Sequence, residues 1–420
     1  MLWNWSADRK LAPFSFVKAF RWLEGGSGVK TTEPEIEELP MSLKLVSFEP
    51  SENKSERKKF IEVQWTINKS DPHWIPPLRM TVEDNLDSKK NPFYKHAKIN
   101  CWNAYQDGKV VGRISAVIDE RHNEFHKEST GFWGFFECVN DPAVAKALFD
   151  AAEQWLRERG MKIARGPMNP SMNHECGLVI NAFDRDPYIM MTHNPAFYVG
   201  LVEKNGYAKV KDLLAFDMTP SDFDPRVKRI AEKVKKRGNL EIRPLNMKNF
   251  KADVQLIREI YNGAWEKNWG FTPMDEAEFD HLAKQLKDVL WPEFAQIGFI
   301  NGKPIGFALS LPDLNQVQKN IPSGRLLPFG IFTLLNGLRP KAKKIRRVRV
   351  ITLGVIPEHR SSGLASVFYY EAYKAAETMD LTEPSEMSWI LEDNKEMIAS
   401  IEAFAGKPAY KTFRLYDKNI

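Results

Sequence analysis

The sequence predicts a layered α/β fold built from two similar halves, and three observations lead there. Apolar β-branched runs alternate with helical apolar stripes from about Met41 onward. The order strand, helix, hairpin, strand, helix, strand, helix, strand is met once up to 218 and again from 240. The two hairpins can be laid on each other, Asp107-Gly-Lys-Val-Val-Gly112 beside Asn301-Gly-Lys-Pro-Ile-Gly306. Each turns at an Asp-Gly or Asn-Gly pair, which suits a tight two-residue turn.

In the first half, a short strand over 43–48 precedes a helix over 55–67, and 101–118 forms the hairpin. A strand over 131–139 leads to Asp141-Pro142, an N-cap followed by a proline favoured at the first helical position. That helix carries Val144, Leu148, Ala152 and Trp155 on one face and stops at Gly160. A strand over 161–164, a helix over 195–204 and a strand over 208–218 complete the half. The second half repeats this with a strand at 240–244, a helix at 254–265 and a hairpin at 294–310. A strand at 350–356 follows, then a helix, a strand at 386–391, a helix at 395–405 and a strand at 410–417.

Composition narrows the function classes. A chain of 420 residues suits two to three domains at roughly 100–200 residues each. Hydrophobic residues make up 43 %, with 12 Trp and 26 Phe, so large cores are available. The net charge is +5, with 60 basic against 55 acidic residues. That suits an anionic cofactor and falls short of a dedicated nucleic-acid binder. Cys101, Cys138 and Cys176 are widely spaced and odd in number, which fits a reducing compartment without a disulfide framework. The early charges Asp8, Arg9 and Lys10 make a poor signal peptide, so a cytoplasmic location is expected. Residues 1–40 read as an extension: a short amphipathic helix over 11–22, then a Gly-Ser linker. Gly-Gly-Ser-Gly-Val-Lys30-Thr31 lacks the glycine directly before the lysine and has no strand ahead of it, so it is not read as a phosphate loop.

The most informative run is Leu353-Gly-Val355-Ile-Pro357-Glu-His-Arg360-Ser361-Ser362-Gly363-Leu364-Ala365. An apolar strand ends at Pro357, and a glycine-containing turn enters a helix with Leu364, Phe368, Ala372, Ala375 and Met379 on one stripe. The unpaired amides and positive dipole end of such a helix form an anion site suited to a pyrophosphate. Gly363 permits close backbone approach, and Arg360 adds a charged forked donor. The run resembles the acyl-CoA signature of the GNAT acyltransferase superfamily: apolar strand, Val-x-Pro, then Arg-x-x-Gly-x-Ala. The resemblance covers the chain from about Met41 onward. It implies two tandem GNAT-like domains, 41–219 and 220–420, each a mixed, mostly antiparallel twisted sheet flanked by helices.

In the first half the same place reads Val139-Asn-Asp141-Pro142, with no Arg-x-x-Gly-x-Ala and a negative charge where a pyrophosphate would sit. The first half is therefore expected to be a degenerate copy, and the second to hold the cofactor. By resemblance, the strands at 350–356 and 386–391 splay to admit the pantetheine arm. Backbone near Leu353 and Val355 would polarise the thioester carbonyl, and Asn394 would bond the arm or simply cap its helix. Relatives carry a tyrosine two helical turns after that asparagine as general acid. Here Ile401 stands there, with Tyr410 and Tyr416 out of register, so the acid is unassigned. Glu386, on a mostly apolar strand with Ser388 and Ile390 on its face, is the candidate base.

The aromatic stretch from Tyr261 to Pro273 corresponds to the acceptor cover of GNAT proteins, which makes Trp265, Asn268 and Trp269 candidate substrate contacts. The polar loop from Gly166 to Gly177, with Asn169, Ser171, Asn173, His174 and Glu175, is a candidate to face the cleft from the first half. His122 and His126 fall in an expected loop and lack the pattern of a zinc helix; no metal is expected. The insertion 311–347 carries an apolar stretch over 326–338 and then a basic cluster of Arg339, Lys341, Lys343, Lys344, Arg346, Arg347 and, just beyond it, Arg349. A lid helix packed on the domain is the preferred reading, with an anionic membrane surface or a fatty acyl chain as the other occupant. The expected activity is transfer of an acetyl or longer acyl group from acyl-CoA to a small-molecule or peptide amine. The alternatives are an aminoacyl-tRNA-dependent transferase resembling the Fem enzymes, or an acyl-CoA sensor without catalysis.

Overall fold

The computed structural model describes residues 43–236, 240–265 and 268–420. The expected extension 1–40, with its helix and linker, lies outside them. The described residues belong to a compact unit, Ser42–Ile420. Its first half runs β1 (Lys44–Phe48), α1 (Lys54–Asn68), α2 (Arg79–Asn85), β2 (Ala97–Gln106), β3 (Lys109–Asp119), α3 (Glu120–His126), β4 (Thr130–Cys138), α4 (Pro142–Arg157) and β5 (Ile163–Gly166). The short β6 (Met168–Asn169), β7 (Glu175–Cys176) and β8 (Leu178–Val179) follow, then α5 (Phe197–Lys204) and β9 (Ala208–Met218). The second half runs α6 (Pro225–Lys235), β10 (Leu240–Pro244), α7 (Phe250–Trp265), α8 (Glu276–Lys287), β11 (Ala295–Ile300), β12 (Lys303–Pro312), α9 (Asn315–Gln318) and α10 (Gly330–Gly337). It closes with β13 (Val348–Val355), α11 (Leu364–Thr378), β14 (Ser385–Leu391), α12 (Lys395–Ala405) and β15 (Lys411–Asn419).

Twelve of these strands follow the order β1-β2-β3-β4-β5-β15-β9-β14-β13-β12-β11-β10, and β8 pairs with β15 beside that path. Each half contributes one parallel pair, β4 with β5 and β13 with β14, while the remaining neighbours are antiparallel. The closing strands are exchanged. β15 pairs with β5 of the first half, and β9 pairs with β14 of the second. The two also pair with each other, from Lys411↔Ala215 to Asp417↔Ala208.

Local chemistry explains where the helices begin. Asp141 caps α4 by accepting the Ala143 N–H at 2.8 Å. Asp275 and Glu278 form a reciprocal capping box at α8. The segment 122–126, expected as a loop, is instead part of α3, because Asp119 accepts the His122 N–H at 3.1 Å and caps a helical turn. Its histidines reach across to the second half: His122 Nδ1 lies 3.1 Å from Thr272 Oγ1, and His126 Nε2 lies 2.7 Å from Phe271 O.

A second bridge between the halves is electrostatic. His96 lies 2.9 Å from Asp119 and 3.0 Å from Glu278, and Arg121 pairs with both Glu278 and Asp275. Burial works against charge on His96, but the hydrogen bonds from Asp119 and Glu278 outweigh it and lift its pKa to about 9. Because the folded value lies above the unfolded one, this contribution is complete below about 6.5. It is lost as pH rises through about 9. Melting temperature followed from pH 6 to 10 is expected to fall in that window, and His96→Gln to flatten the fall.

Candidate active site

The site begins with the separation of two strands. β13 and β14 pair only at Arg349↔Glu386 and Val350↔Met387. From Ile351 onward, the edge of β13 facing β14 has no strand partner among the described residues. The matching place in the first half is filled. A Cβ on Gly134 would sit 1.7 Å from Met168 O, and Asn169 Oδ1 accepts the Phe135 N–H at 2.6 Å. Asp141 also occupies the helix terminus there. The first half thus keeps the fold while its own cleft is closed.

At the mouth of the open cleft, 357–362 winds as a 3₁₀ turn and Gly363 adopts φ +82° before α11 begins. A Cβ at Gly363 would lie 2.8 Å from Val234 Cγ2 on α6, so both conformation and space favour glycine. The N-terminus of α11 has no side-chain cap, unlike α4, which leaves its first amides available to an anion. The Leu364 N–H is the exception: it lies 3.2 Å from Ser362 Oγ. Ser361 is exposed. The Leu364 side chain does not face the groove. It is fully buried against Gly298 and Gly306, which anchors the turn to the sheet.

A groove of about 770 Å³ leads from this turn, with Arg360, Ala365, Leu353 and Val355 in its wall. Arg360 Nη2 donates to Ala264 O at 2.9 Å, fixing the guanidinium across the mouth. An apolar cavity of about 270 Å³ lies deeper, walled by Val254, Ile257, Phe279, Leu282, Leu286 and Leu290 among others. Groove and cavity share Trp265, Asn268, Trp269, Leu353, Tyr369 and Asn394, together with Leu391 and Met397. Five of the residues expected at the site, Trp265, Asn268, Trp269, Leu353 and Asn394, are therefore gathered at one place, and the groove that starts at the Gly363 turn opens onto an apolar interior. Trp265 lies so close over Gly354 that a Cβ there would be 2.1 Å from its ring. Trp269 is held from the first half by Arg165 and Lys211, at 5.1 and 5.4 Å from its ring. Asn394 accepts the Met397 N–H at 3.3 Å and so caps α12 as well as lining the site. Ile401, in the tyrosine's place, lines the cavity as an apolar group.

Glu386 is not on the cavity wall. It is 1 % exposed and sits behind Ser388 and Arg349. It accepts from the hydroxyls of Ser388 and Tyr410, and Arg349 Nε lies 3.7 Å from it. Arg349 also donates to Ser388 Oγ at 2.8 Å and to Ile189 O at 2.9 Å. This arrangement ties β13, β14, β15 and the first half together, and it keeps Glu386 off the walls of both groove and cavity.

Two ionisable groups on the wall were not singled out individually in the sequence. His174, in the polar loop of the first half, lines the cavity, and Ser171 Oγ lies 2.8 Å from its Nδ1. Burial pushes its pKa down to about 4, so its imidazole is neutral at pH 7. Asn173 beside it accepts from Tyr261 Oη at 3.1 Å. Tyr369, on the helix after the signature turn, borders both spaces, with its hydroxyl 3.4 Å from Met397 Sδ and its pKa raised to about 12 by burial.

No family model matches the chain. It is 38 % identical over 380 residues to the bacterial ceramide synthase of Caulobacter vibrioides, covering 89 % of this chain and 97 % of that one. The chain belongs to the bacterial ceramide synthase family. Protein YghO of Escherichia coli is a further relative, 37 % identical over 373 residues, with 88 % of this chain and 94 % of that protein covered. Among solved structures, a tandem GNAT protein from the clavulanic acid biosynthesis pathway superposes with a TM-score of 0.55 at 11 % identity, covering 90 % of this chain and 98 % of that one. A fungal GCN5-related glucosamine N-acetyltransferase region gives a TM-score of 0.54 at 12 % identity, over 90 % of this chain and 38 % of that one. This member of the bacterial ceramide synthase family is therefore an acyltransferase with the tandem GNAT fold.

Proposed function

We propose that the protein transfers a long-chain acyl group from acyl-CoA to the amine of a long-chain base, the bond that makes a ceramide. The observation that carries this reading is the continuity between the signature turn and an apolar cavity, through walls they share. An acetyl group would leave that cavity unfilled, whereas each buried methylene contributes about 0.8 kcal/mol. The turn amides and Arg360 hold the pyrophosphate, and the unpaired edge of β13 near Leu353 polarises the thioester carbonyl. The amine nitrogen attacks the carbonyl carbon in a ternary complex, and His174 accepts the proton it gives up. The C–S bond then breaks, and Tyr369 protonates the departing thiolate, leaving the amide and free CoA. The relative's name supports the acceptor class.

The test is calorimetric titration of acetyl-CoA and palmitoyl-CoA into the protein and into Gly363→Asp, followed by turnover with a sphingoid base and release of CoA. An added carboxylate roughly 5 Å from the pyrophosphate costs about 3 kcal/mol at an effective dielectric near 20. The expected result is tight palmitoyl-CoA binding that weakens about 100-fold or more in the variant. Equal, weak binding of both CoA esters by both proteins would overturn the assignment of the cofactor site. Binding of palmitoyl-CoA without CoA release would overturn the acceptor class.

A further inference from the structure

The insertion between β12 and β13 does not cover its apolar residues. Of the seven large hydrophobic side chains that stand out in solvent among the described residues, Leu327, Phe329, Phe332 and Leu335 lie within one short stretch. Leu327 and Phe329 are each 77 % exposed. α10 packs its other side on the domain through Leu334 and Gly337. A Cβ on Gly337 would be 2.4 Å from Val317, so that face is fixed and the aromatic face is held outward. A fifth exposed side chain, Met80, stands next to Arg79, whose Nε donates to Ser323 O at 2.9 Å, four residues before Leu327.

Between Arg325 and Arg347 the chain carries cations and no acidic residue. Arg339, Lys341 and Lys344 are exposed and make no ion pair among the described residues. Lys343 and Arg346 are also exposed, each shared with one carboxylate, at 2.7 Å to Asp380 and 3.7 Å to Glu383. A cluster of exposed aromatic and leucine side chains beside unpaired lysines is the pattern of a helix lying in a membrane interface, the apolar groups among acyl chains and the cations at the headgroups. No described helix is long and apolar enough to cross a bilayer, so the contact is with one leaflet. The Leu334 face of α10 packs on a cluster that includes Leu286, Leu290 and Leu309, which also wall the cavity. The exposed face is thus backed by the wall of the apolar site.

We infer that α10 and the turn before it dock the protein onto the surface of an anionic phospholipid bilayer, where its apolar substrates are dissolved. This inference stands whether or not the acyl donor is correctly assigned. The experiment is flotation of the full chain with vesicles of phosphatidylcholine alone and of phosphatidylcholine with 30 % phosphatidylglycerol as the probe surface, at low and high salt. The proteins compared are wild type, Phe329→Ser/Phe332→Ser and Lys341→Glu/Lys344→Glu. The changed side chains are exposed, so melting temperatures should match wild type. Wild type is expected to float with the anionic vesicles and to release in high salt. The aromatic variant should lose at least tenfold in partitioning to either vesicle, and the charge variant should lose its preference for phosphatidylglycerol. Wild type left in the soluble fraction, or an aromatic variant that floats like wild type, would overturn the inference. So would a dimer, seen by light scattering, that the aromatic substitutions dissociate while vesicle binding is absent: that result would make the face a contact between two copies.

Discussion

Replacing His174 with glutamine is expected to lower kcat by about 10²- to 10⁴-fold, the range for loss of a general base, with little change in acyl-CoA affinity. Among the described residues, Arg349, Tyr261, Tyr369 and His174 are the ionisable groups on the cavity wall, and a guanidinium or a buried phenol does not accept a proton at neutral pH. The imidazole is already neutral because burial holds its pKa near 4, with the Glu278 carboxylate pulling the other way. The acid limb of kcat is therefore expected near pH 4. An ordinary histidine would place it near 6.5. The same shift makes the fold less stable as pH falls from about 6.5 toward 4, because the unfolded chain takes up the proton first. Rates below pH 5 should accordingly be divided by the folded fraction measured by circular dichroism. A glutamine variant with wild-type kcat would remove His174 from the reaction.

Replacing Glu386 with alanine is expected to cost about 3–5 kcal/mol of stability, the usual consequence of leaving one member of a buried ion pair alone. Arg349 is 3 % exposed and would keep hydrogen bonds to neutral groups alone, Ser388 and the carbonyls of Ile189 and Met190, with Glu175 and Asp313 as its remaining neighbouring carboxyl groups. Tyr410 would lose its carboxyl acceptor in the same step. Urea unfolding at pH 7 measures the loss, and activity per folded molecule measures the chemistry. The position away from the wall calls for a large change in the first and a small one in the second. Unchanged stability with abolished turnover would restore Glu386 to the role of base.

Much of this architecture could be read from residues alone, and what could not has a physical cause. Strands and hairpins were legible because alternation and Asn-Gly or Asp-Gly turns are local signals; β2 and β3 meet at Asp107-Gly108 as expected. The strand, turn and helix around Gly363 were legible because Gly363, Arg360 and the strand before them lie in one continuous run. α8 had a readable start in Asp275-x-x-Glu278, and α3 in Asp119 before a run of helix formers. Glu386 looked available because strand alternation says which face a side chain takes, and nothing about Arg349 and Tyr410 arriving from other strands. His174 lay in a loop already marked by its density of polar groups, but only the packing of the first half against the second brings that loop to the cavity. Tyr369 was hidden among the aromatics of α11, where helical periodicity does not distinguish a core ring from one bordering a cleft.

The exchange of β9 and β15 ties the molecule's birth to its chemistry. Arg165 on β5 and Asp417 on β15 make a bidentate pair across 252 positions of sequence. During synthesis, β5 must therefore wait with a bare edge while the whole second half emerges, an exposure that invites mispairing with other nascent chains. A gene split between the halves would yield two fragments, each lacking the strand that closes its own sheet. Until β15 is in place, β5 and one edge of β9 stay unpaired together, so the first half's sheet is closed only after every strand of the second half has been made.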